Sequence, residues 1–485
     1  MSLLIPGTNS IKDTGYDVAN SLRFNDGSSD YLNKTLGTAS NRKIFTVSYW
    51  IKKTTNGLHT PIVEVASSGG SIGGSENAAQ IYFNTSDQLT WYETHGGGVI
   101  NLSTNRLFRD PNAWYHIMYA IDTTQGTSTN RLKLFVNGTQ DSSFTSGSGT
   151  YPSENLESYI NSNQDATYIG RSRYSNKYFD GYMCEVVHVD GTAQGPTDLG
   201  EFDSDSGIWK PKDVSGLTFG NNGFYLDFED SSALGNDAAG SNNFTATNLT
   251  SIDQSIDTCT NNFATLNSIH LQTSSPPTFS NGNLTIASIG DNDNIASTFS
   301  GEFKWYYEAK ILQDPDGTNG YGAAVGACHI DTFNYAGWKD GNRTGFQYSD
   351  TKWYSNSLSG AGRFVQGNGN QVIGGLTQAT TGDIVGVACD SANGRVYIHI
   401  NGTYQNSGDP VNGTGFIGGT TAKTGLWFPW FSSDHTNGTL DLNFGSPPYS
   451  VSSGNTDGNG FGNFEYAVPT GFLSLNTKNL AVVLA

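Results

Sequence analysis

The chain has 485 residues and a formal net charge of −19 at pH 7, with 44 acidic and 25 basic side chains. This length allows two or three domains, each with its own core. The negative charge argues against nucleic-acid binding, which needs a basic surface. The sequence has no apolar run long enough to span a membrane, and its first residues lack the pattern of a signal peptide, so we expect neither membrane insertion nor a secretion signal.

Sixty glycines, 24 tyrosines and 26 phenylalanines, with no sustained helical periodicity, indicate an all-β protein of short strands and tight turns. One pattern occurs twice. Residues 131–138 read Arg-Leu-Lys-Leu-Phe-Val-Asn-Gly, and residues 395–402 read Arg-Val-Tyr-Ile-His-Ile-Asn-Gly. A strand followed by Asn-Gly is the strongest short-range signal of a β-hairpin. Because each copy lies in its own half of the chain, we predict two β-sandwiches in tandem.

In chain order, residues 1–20 are predicted to form a short arm and residues 21–228 the first sandwich. Residues 45–51 alternate as a half-buried strand does, with Trp50 on the face opposite Phe45. Residues 229–275 are polar and rich in Asn, Asp, Ser and Thr, which predicts a surface connector. The second sandwich then takes residues 276–470, and residues 471–485 form a tail.

Two families resemble these halves. Residues 22–228 resemble a laminin-G/concanavalin-like jelly roll, in the segments Phe45-Thr-Val-Ser-Tyr-Trp-Ile51, Trp114 to Asp122, Leu132 to Gly138, Ile169 to Arg171 and Phe179 to Tyr182. Residues 279–445 resemble a SPRY domain, chiefly in Trp305 to Glu308, Gly382 to Val387, Asn393 to Tyr397 and Leu442 to Gly445. Both resemblances imply concanavalin-like antiparallel sandwiches, jelly roll first and SPRY-like second. Such sandwiches usually bind ligands through their loops.

A narrower resemblance concerns residues 3–7 and 16–24, together with residues 253–267. These segments are similar to virion proteins of marine tailed bacteriophages, which join the same two domain types. The resemblance implies a non-enzymatic tail fibre or other appendage, assembled in the host cytoplasm, that adheres to a host surface glycan or protein. The arm would attach it to other virion proteins, and a homo-oligomer, with a trimer favoured, would give avidity. Two alternatives stay open: a capsid decoration or head-fibre protein with an assembly role, and a glycan-degrading tailspike.

The sequence offers little catalytic chemistry. Retaining glycan hydrolysis needs two carboxylates about 5–5.5 Å apart. Glucanases of this superfamily take them from one strand reading Glu-x-Asp-x-x-Glu. The nearest match, Glu201-Phe-Asp203-Ser-Asp205-Ser206, has Ser in the last position. We interpret it as a solvated acidic loop and predict no catalytic residue and no cofactor.

A metal site is not predicted either. The histidines never pair at metal spacing, and the four cysteines lack CxxC spacing, which favours buried thiols. Residues 291–294, Asp-Asn-Asp-Asn, lack the glycine and the distal glutamate of a calcium loop, so we predict a turn there.

We expect binding through aromatic side chains at loop tips or edge strands, where their rings could stack on sugars. The candidates are Trp91, Tyr92, His95, Tyr174 and Tyr178 in the first sandwich, and Tyr321, Trp338, Trp353 and Tyr354 in the second. The competing interpretation for each is packing in a core or between domains. We assign Trp50, Trp114 and Trp305 to cores.

Overall fold

The chain folds as two compact units, with the boundary between Asn261 and Asn262. The computed structural model describes residues 15–66, 77–95, 98–145, 149–173, 175–269, 277–289, 295–313, 323–329, 350–354, 362–366, 370–377, 379–416, 425–433 and 438–483. Each unit is an antiparallel β-sandwich, which confirms the predicted all-β fold with two tandem concanavalin-like sandwiches. Within the described ranges, no helix is long and apolar enough to cross a membrane.

The first unit contains nineteen strands in its described residues. They are β1 (Ser21–Phe24), β2 (Tyr31–Thr35), β3 (Ile44–Lys53), β4 (Thr60–Ala66), β5 (Ala78–Phe83), β6 (Gln88–His95), β7 (Gly98–Leu107), β8 (Trp114–Asp122), β9 (Leu132–Val136), β10 (Thr139–Asp141), β11 (Ala166–Ile169), β12 (Arg171–Ser172), β13 (Lys177–Tyr178), β14 (Gly181–Asp190), β15 (Gly200–Phe202), β16 (Trp209–Pro211), β17 (Phe224–Leu226), β18 (Thr245–Thr247) and β19 (Gln254–Ser255). Single 3₁₀ turns cover Ser128–Asn130, Pro196–Asp198 and Ser251–Asp253.

Two sheets of the first unit face each other. Sheet A has the order β10-β9-β8-β3-β14-β1-β19, with β17 also paired to β14, and sheet B has the order β18-β2-β11-β4-β5-β6-β7. The core between them takes alternate residues of each strand, as the two-residue period of a strand requires. In β3, Phe45 faces this core, whereas Trp50 packs on the outer side of sheet A with Trp114 and Trp209. The predicted alternation of residues 45–51 is thus confirmed.

The second unit has thirteen strands in its described residues. They are β20 (Thr278–Ser280), β21 (Thr285–Ile289), β22 (Ile295–Ala296), β23 (Lys304–Gln313), β24 (Ala323–His329), β25 (Asp350–Tyr354), β26 (Gly362–Gln366), β27 (Asn370–Leu376), β28 (Ile384–Asp390), β29 (Arg395–Ile400), β30 (Thr403–Tyr404), β31 (Trp427–Ser433) and β32 (Gly438–Asn443), followed by helix α1 (Thr477–Val483). A 3₁₀ turn covers Gln405–Ser407. Sheet C has the order β20-β21-β32-β23-β28-β29-β30, and sheet D has the order β22-β31-β24-β25-β26-β27. Trp305, Val387 and Phe431 lie in the core that these two sheets enclose.

The repeated Asn-Gly pattern forms the same hairpin in both units. Asn137 and Asn401 each have φ of 47°, and the glycine after each also has positive φ, as a type I′ turn requires. The side-chain Oδ1 of Asn137 accepts a hydrogen bond from the backbone N of His116 (2.8 Å). In the second unit, Asn401 Oδ1 accepts from the backbone N of Ile384 (2.9 Å). Each Asn therefore shapes the turn and also ties it to the preceding strand of the sheet.

The predicted connector, residues 229–275, is not a linker. Its first part belongs to the first unit, where β18 pairs with β2 and β19 pairs with β1. Its second part belongs to the second unit, and Ala264 and Leu266 lie in that core. The polar composition misled the prediction because short edge strands are held by backbone hydrogen bonds and need few apolar side chains.

The predicted arm and tail also differ from expectation. Of the arm, residues 1–14 lie outside the described residues, but Val18 is buried on the first unit and its N donates to Thr260 Oγ1 (3.0 Å). In the tail, Leu475 is buried in the core of the second unit. The backbone N of Asn262 donates to Thr477 Oγ1 (3.0 Å), at the start of α1. Residues 471–483 therefore complete the second sandwich.

Candidate functional site

The outer surface of sheet B carries a set of tyrosines. Each lies beside a core residue in its strand, so the alternation turns its ring away from the core. All are half-buried on strands rather than on free loops. We call the rings of Tyr31, Tyr82, Tyr92, Tyr168 and Tyr178 the tyrosine face.

The strand register places polar side chains between these rings. Tyr168 of β11 is opposite Glu64 of β4, Glu64 is opposite Gln80 of β5, and Gln80 is opposite Tyr92 of β6. The row spans three inter-strand spacings, about 14 Å in all. It continues to Asn101 of β7. Two half-buried aromatic rings thus lie on a rigid sheet, with the buried side chains of Glu64 and Gln80 between them.

Glu64 holds the middle of this row in place. Its side chain is fully buried, and Oε2 accepts hydrogen bonds from Gln80 Nε2 (3.1 Å) and Ser172 Oγ (2.7 Å). Oε1 accepts from the backbone N of Arg173 (2.6 Å). Two of these donors come from the hairpin of β12 and β13, which pairs Arg171 with Tyr178. The carboxylate therefore fixes that hairpin against the outer side of sheet B.

Arg171 lies among three of the tyrosines. Its guanidinium carbon is 4.6 Å from the ring centre of Tyr31, 5.4 Å from that of Tyr168 and 5.7 Å from that of Tyr178. These are cation–π distances. The rings of Tyr31 and Tyr168 are 5.9 Å apart. The cluster orders one end of the tyrosine face.

A cleft of about 320 Å³ adjoins this end. The residues that line it are Asp26, Ser29, Thr55, Leu58, His59, Thr60, Asn176, Lys177 and Tyr178. His59 stacks on Tyr82 with ring centres 4.4 Å apart, so the cleft and the tyrosine face are continuous. Burial lowers the pKa of His59 to about 4, which keeps the imidazole neutral near pH 7. A second hollow, of about 560 Å³, is lined by residues between Ser231 and Ser251 and carries no charged side chain.

Three carboxyl groups lie near the cleft. Burial, together with repulsion from Asp26 and Asp30, raises the pKa of Asp180 to about 8. Burial also raises the pKa of Asp30, to about 6. Asp180 Oδ2 accepts a hydrogen bond from Thr54 Oγ1 (3.1 Å), while Oδ1 has no partner among the described residues. Asp180 is therefore held in its neutral form by the folded first unit near pH 7.

This arrangement predicts a stability that depends on pH. The unfolded chain loses the Asp180 proton near pH 4, whereas the folded unit keeps it to about pH 8. The stabilisation is thus complete below about pH 4 and is lost as the pH rises to about 8. Asp180→Asn keeps the size and has no proton to lose, so we expect the variant to lose less stability over this range than the parent. Thermal melts of both proteins across that range check this, and parallel curves would contradict it.

The structure decides between the two interpretations of Trp91. Its side chain is fully buried and packs edge-on against Tyr119, with ring centres 4.9 Å apart. The prediction of Trp91 as a ligand-binding residue is therefore wrong, because Trp91 points into the core and Tyr92 points outward. Tyr92 and Tyr178 do lie on one face, the tyrosine face, and remain predictions as binding residues. Trp50, Trp114 and Trp305 are buried as predicted.

The structure gives no side-chain geometry for the other candidate binding residues. His95 ends β6, and Trp353 and Tyr354 end β25, where the structure describes the backbone alone. Tyr174, Tyr321 and Trp338 lie outside the described residues, as does the acidic run 291–294. Sequence reasoning missed Tyr31, Tyr82, Tyr168 and Arg171. The sequence did contain a signal for the tyrosines. Each directly neighbours an apolar residue that faces the core, so the two-residue period of a strand turns the tyrosine outward.

In the acidic stretch 201–206, Glu201 and Phe202 belong to β15, and residues 203–206 form a solvated turn. Asp203 Oδ1 accepts from the backbone N of Asp205 and Ser206, and these bonds lower the pKa of Asp203 to about 2. Lys210 Nζ lies 3.5 Å from a carboxylate oxygen of both Glu201 and Asp203. Among the described residues, no three His, Cys, Asp or Glu side chains converge in a way that could hold a metal ion.

The first unit has a concanavalin-like fold. Residues 26–193 match the family model described as the Concanavalin A-like lectin/glucanases superfamily. The match ends within the first unit. No curated protein sequence matches the chain.

Solved structures with similar folds share little sequence with the chain. A Bacteroides ovatus protein assigned to carbohydrate binding is 18% identical over 48% of this chain, with a TM-score of 0.34, and the match spans 59% of that protein. The SPRY domain of human HERC1 is 14% identical over 36% of this chain and 96% of its own length, with a TM-score of 0.26. A pentraxin of Limulus polyphemus is 11% identical over 48% of this chain and 94% of its own length, with a TM-score of 0.24. Similarities of this size say nothing about ligand or activity.

Proposed function

We propose that this chain is a non-catalytic adhesion protein that binds glycans through the tyrosine face of its first unit. The observation that carries this proposal is the set of half-buried tyrosine rings on one side of a rigid sheet of a concanavalin-like fold. Aromatic rings offer flat apolar surfaces to the apolar faces of sugars. Because the strands fix the rings in advance, little ordering is needed on binding.

The state of the two sheet B glutamates, Glu64 and Glu93, supports a binding role over a hydrolytic one. A glycosidase needs an acid and a second carboxylate flanking the scissile bond in an open groove. Glu64, the carboxylate within the row, is fully buried, and its oxygens accept from three donors. Glu93, two residues beyond Trp91, points to the other side of sheet B, where it accepts from Ser158 Oγ (2.9 Å) and the backbone N of Tyr159 (2.7 Å). Both are structural in this arrangement.

On this proposal the chain is an appendage of a bacteriophage particle that adheres to host cells. The support is the similarity of residues 16–24 and 253–267 to phage virion proteins, together with the lectin-like fold. A homo-oligomer, with a trimer favoured, would add avidity to weak single sites. Labelling the chain and imaging intact particles would locate it on the tail or on the capsid.

The binding role can be tested with one ring. We expect Tyr92→Ala to weaken glycan binding about tenfold, the factor that corresponds to losing one stacking contact of about 1.4 kcal/mol. The purified chain is first applied to an array of bacterial surface polysaccharides and defined oligosaccharides. The Kd for the tightest glycan is then measured by titration calorimetry.

The matched control is Phe202→Ala. Phe202 is 53% exposed and packs edge-on against Trp209, which donates to His116 Nδ1 on the outer side of sheet A. Phe202→Ala therefore removes an exposed ring from the opposite side of the same sandwich. If no glycan binds, or if the two variants weaken binding equally, the proposed site is wrong.

A further inference from the structure

We infer that the tyrosine face selects anionic glycans, with the Arg171 guanidinium as the group that binds a carboxylate or sulfate on the sugar. This rests on the proposed glycan-binding function and adds the class of ligand. The inference comes from the surroundings of Arg171, from the charge of its hairpin and from the position of both beside the cleft.

Arg171 is a cation without a charged partner. Among the residues that the structure describes, its guanidinium makes no hydrogen bond and no ion pair, and its Nε is buried with no acceptor. Its contacts are with the rings of Tyr31, Tyr168 and Tyr178. An arginine carries five N–H donors in a planar fork, and ring contacts leave those donors unused. A carboxylate or sulfate in the plane of the fork would accept from two of them at once.

Glu64, the carboxylate that holds this hairpin, does not fill this role. Glu64 is on the strand next to Tyr168, but its oxygens accept from Gln80, Ser172 and the backbone N of Arg173. The same bonds hold the hairpin, and therefore Arg171, in a fixed position. The guanidinium is thus arranged before any ligand arrives, which is the condition for selective binding of an anion.

The hairpin of β12 and β13 carries a charge opposite to that of the whole chain. Residues 171–178 contain Arg171, Arg173 and Lys177 and no Asp or Glu, whereas the chain carries a net charge of −19. Lys177 is exposed and lines the cleft, together with one carboxylate, Asp26. An acidic protein repels acidic glycans in general, so a local positive cluster beside stacking rings restricts their binding to this site.

The experiment uses matched pairs of sugars that differ only in the charged group. The probes are a galacturonate oligosaccharide and its methyl ester, for carboxylate, and a chondroitin sulfate oligosaccharide and its desulfated form, for sulfate. We expect the full chain to bind at least one charged form about tenfold more tightly than its neutral counterpart. We also expect this preference to shrink as salt is added, because charge attraction is screened.

Three variants identify the group responsible. Arg171→Met should remove the preference, measured as the ratio of the Kd values for the neutral and the charged sugar, because this ratio cancels any effect of the variant on ring stacking. Arg171→Lys keeps the charge but not the planar fork of donors, so it should lose only part of the preference. It provides the test if the Arg171→Met variant does not fold. Lys133→Met is the control, since Lys133 of β9 lies between Leu132 and Leu134, which face the core, and therefore projects from the outer side of sheet A.

The outcomes separate this inference from the proposed function. Equal binding of charged and neutral sugars, or a preference that Arg171→Met and Lys133→Met reduce equally, overturns the inference while glycan binding stands. Binding of no sugar in either the pairs or the array overturns the proposed function itself. A preference that only the Arg171 variants reduce supports both.

Discussion

Replacing Lys52 by methionine is expected to lower the free energy of unfolding of the first unit by about 3–5 kcal/mol, the usual effect of removing one partner of a buried ion pair. Lys52 Nζ lies 2.7 Å from Asp257 Oδ2, and the two side chains are 0% and 2% exposed. Asp257 Oδ1 also accepts from Trp114 Nε1 (3.2 Å). Without Lys52, the Asp257 carboxylate stays buried and loses the ammonium group 2.7 Å away.

A double variant distinguishes the lost charge from lost packing. Lys52→Met with Asp257→Leu removes both charges, so we expect it to be more stable than Lys52→Met alone. Lys133→Met, on an outward-facing position of β9, is the solvated control and should change stability by less than about 0.5 kcal/mol. The free energy of unfolding of all three variants is measured in urea, with hydrogen exchange at the amides of β3 and β14 as the probe. A loss below about 1 kcal/mol for Lys52→Met would show that the pair is not a buried charge interaction.

The second large effect is expected in the other unit. Glu308→Ala should destabilise the second unit by about 3–5 kcal/mol, because several buried donors lose their acceptor at about 1–3 kcal/mol each, only partly additively. Glu308 is fully buried in β23. Its oxygens accept from the backbone N of Glu465 (3.0 Å) and Tyr466 (2.8 Å) and from Tyr306 Oη (3.0 Å), with Asn443 Nδ2 at 3.2 Å.

The loss should be visible as detachment of one segment. Phe464 and Phe472 pack against Tyr306 on the outer side of sheet C, and Glu308 anchors the backbone between them. We expect a protease to cleave Glu308→Ala within residues 464–472 under conditions that leave the parent protein intact. Glu308→Gln retains one acceptor oxygen and should lose less, and the exposed Glu302→Ala is the control. Equal protease resistance of the parent and Glu308→Ala would contradict the anchoring role.

Local patterns in the sequence predicted the hairpins well. Asn137 and Asn401 adopt the positive φ that their sequence signal requires, because that signal depends on two adjacent residues. Which side of the sheet each side chain faces was harder to predict. In β6, Trp91 and Tyr92 are both aromatic, and only the parity shared with Leu89, a core residue, shows which one points inward.

Features that depend on distant residues were not predictable in this way. Arg171 meets Tyr31, which is 140 positions earlier in the chain, because β2 and β11 are neighbours in sheet B. Within the polar stretch 245–255, residues 245–247 and 254–255 form strands because β2 of sheet B and β1 of sheet A offer edges for them to pair with. Asp257 is buried because Lys52 neutralises it. Composition describes what a segment prefers alone, whereas these contacts depend on what the rest of the fold provides.

The way each sandwich closes has an evolutionary consequence. Val18 is bonded to Thr260 in the first unit, and Asn262 is bonded to Thr477 in the second, so the chain enters and leaves each body at nearly the same place. Modules whose ends meet can be grafted into other polypeptides or circularly permuted without rebuilding their interiors. Either body could therefore be exchanged as a cassette, which would let recognition diversify while the remainder of the molecule stays constant.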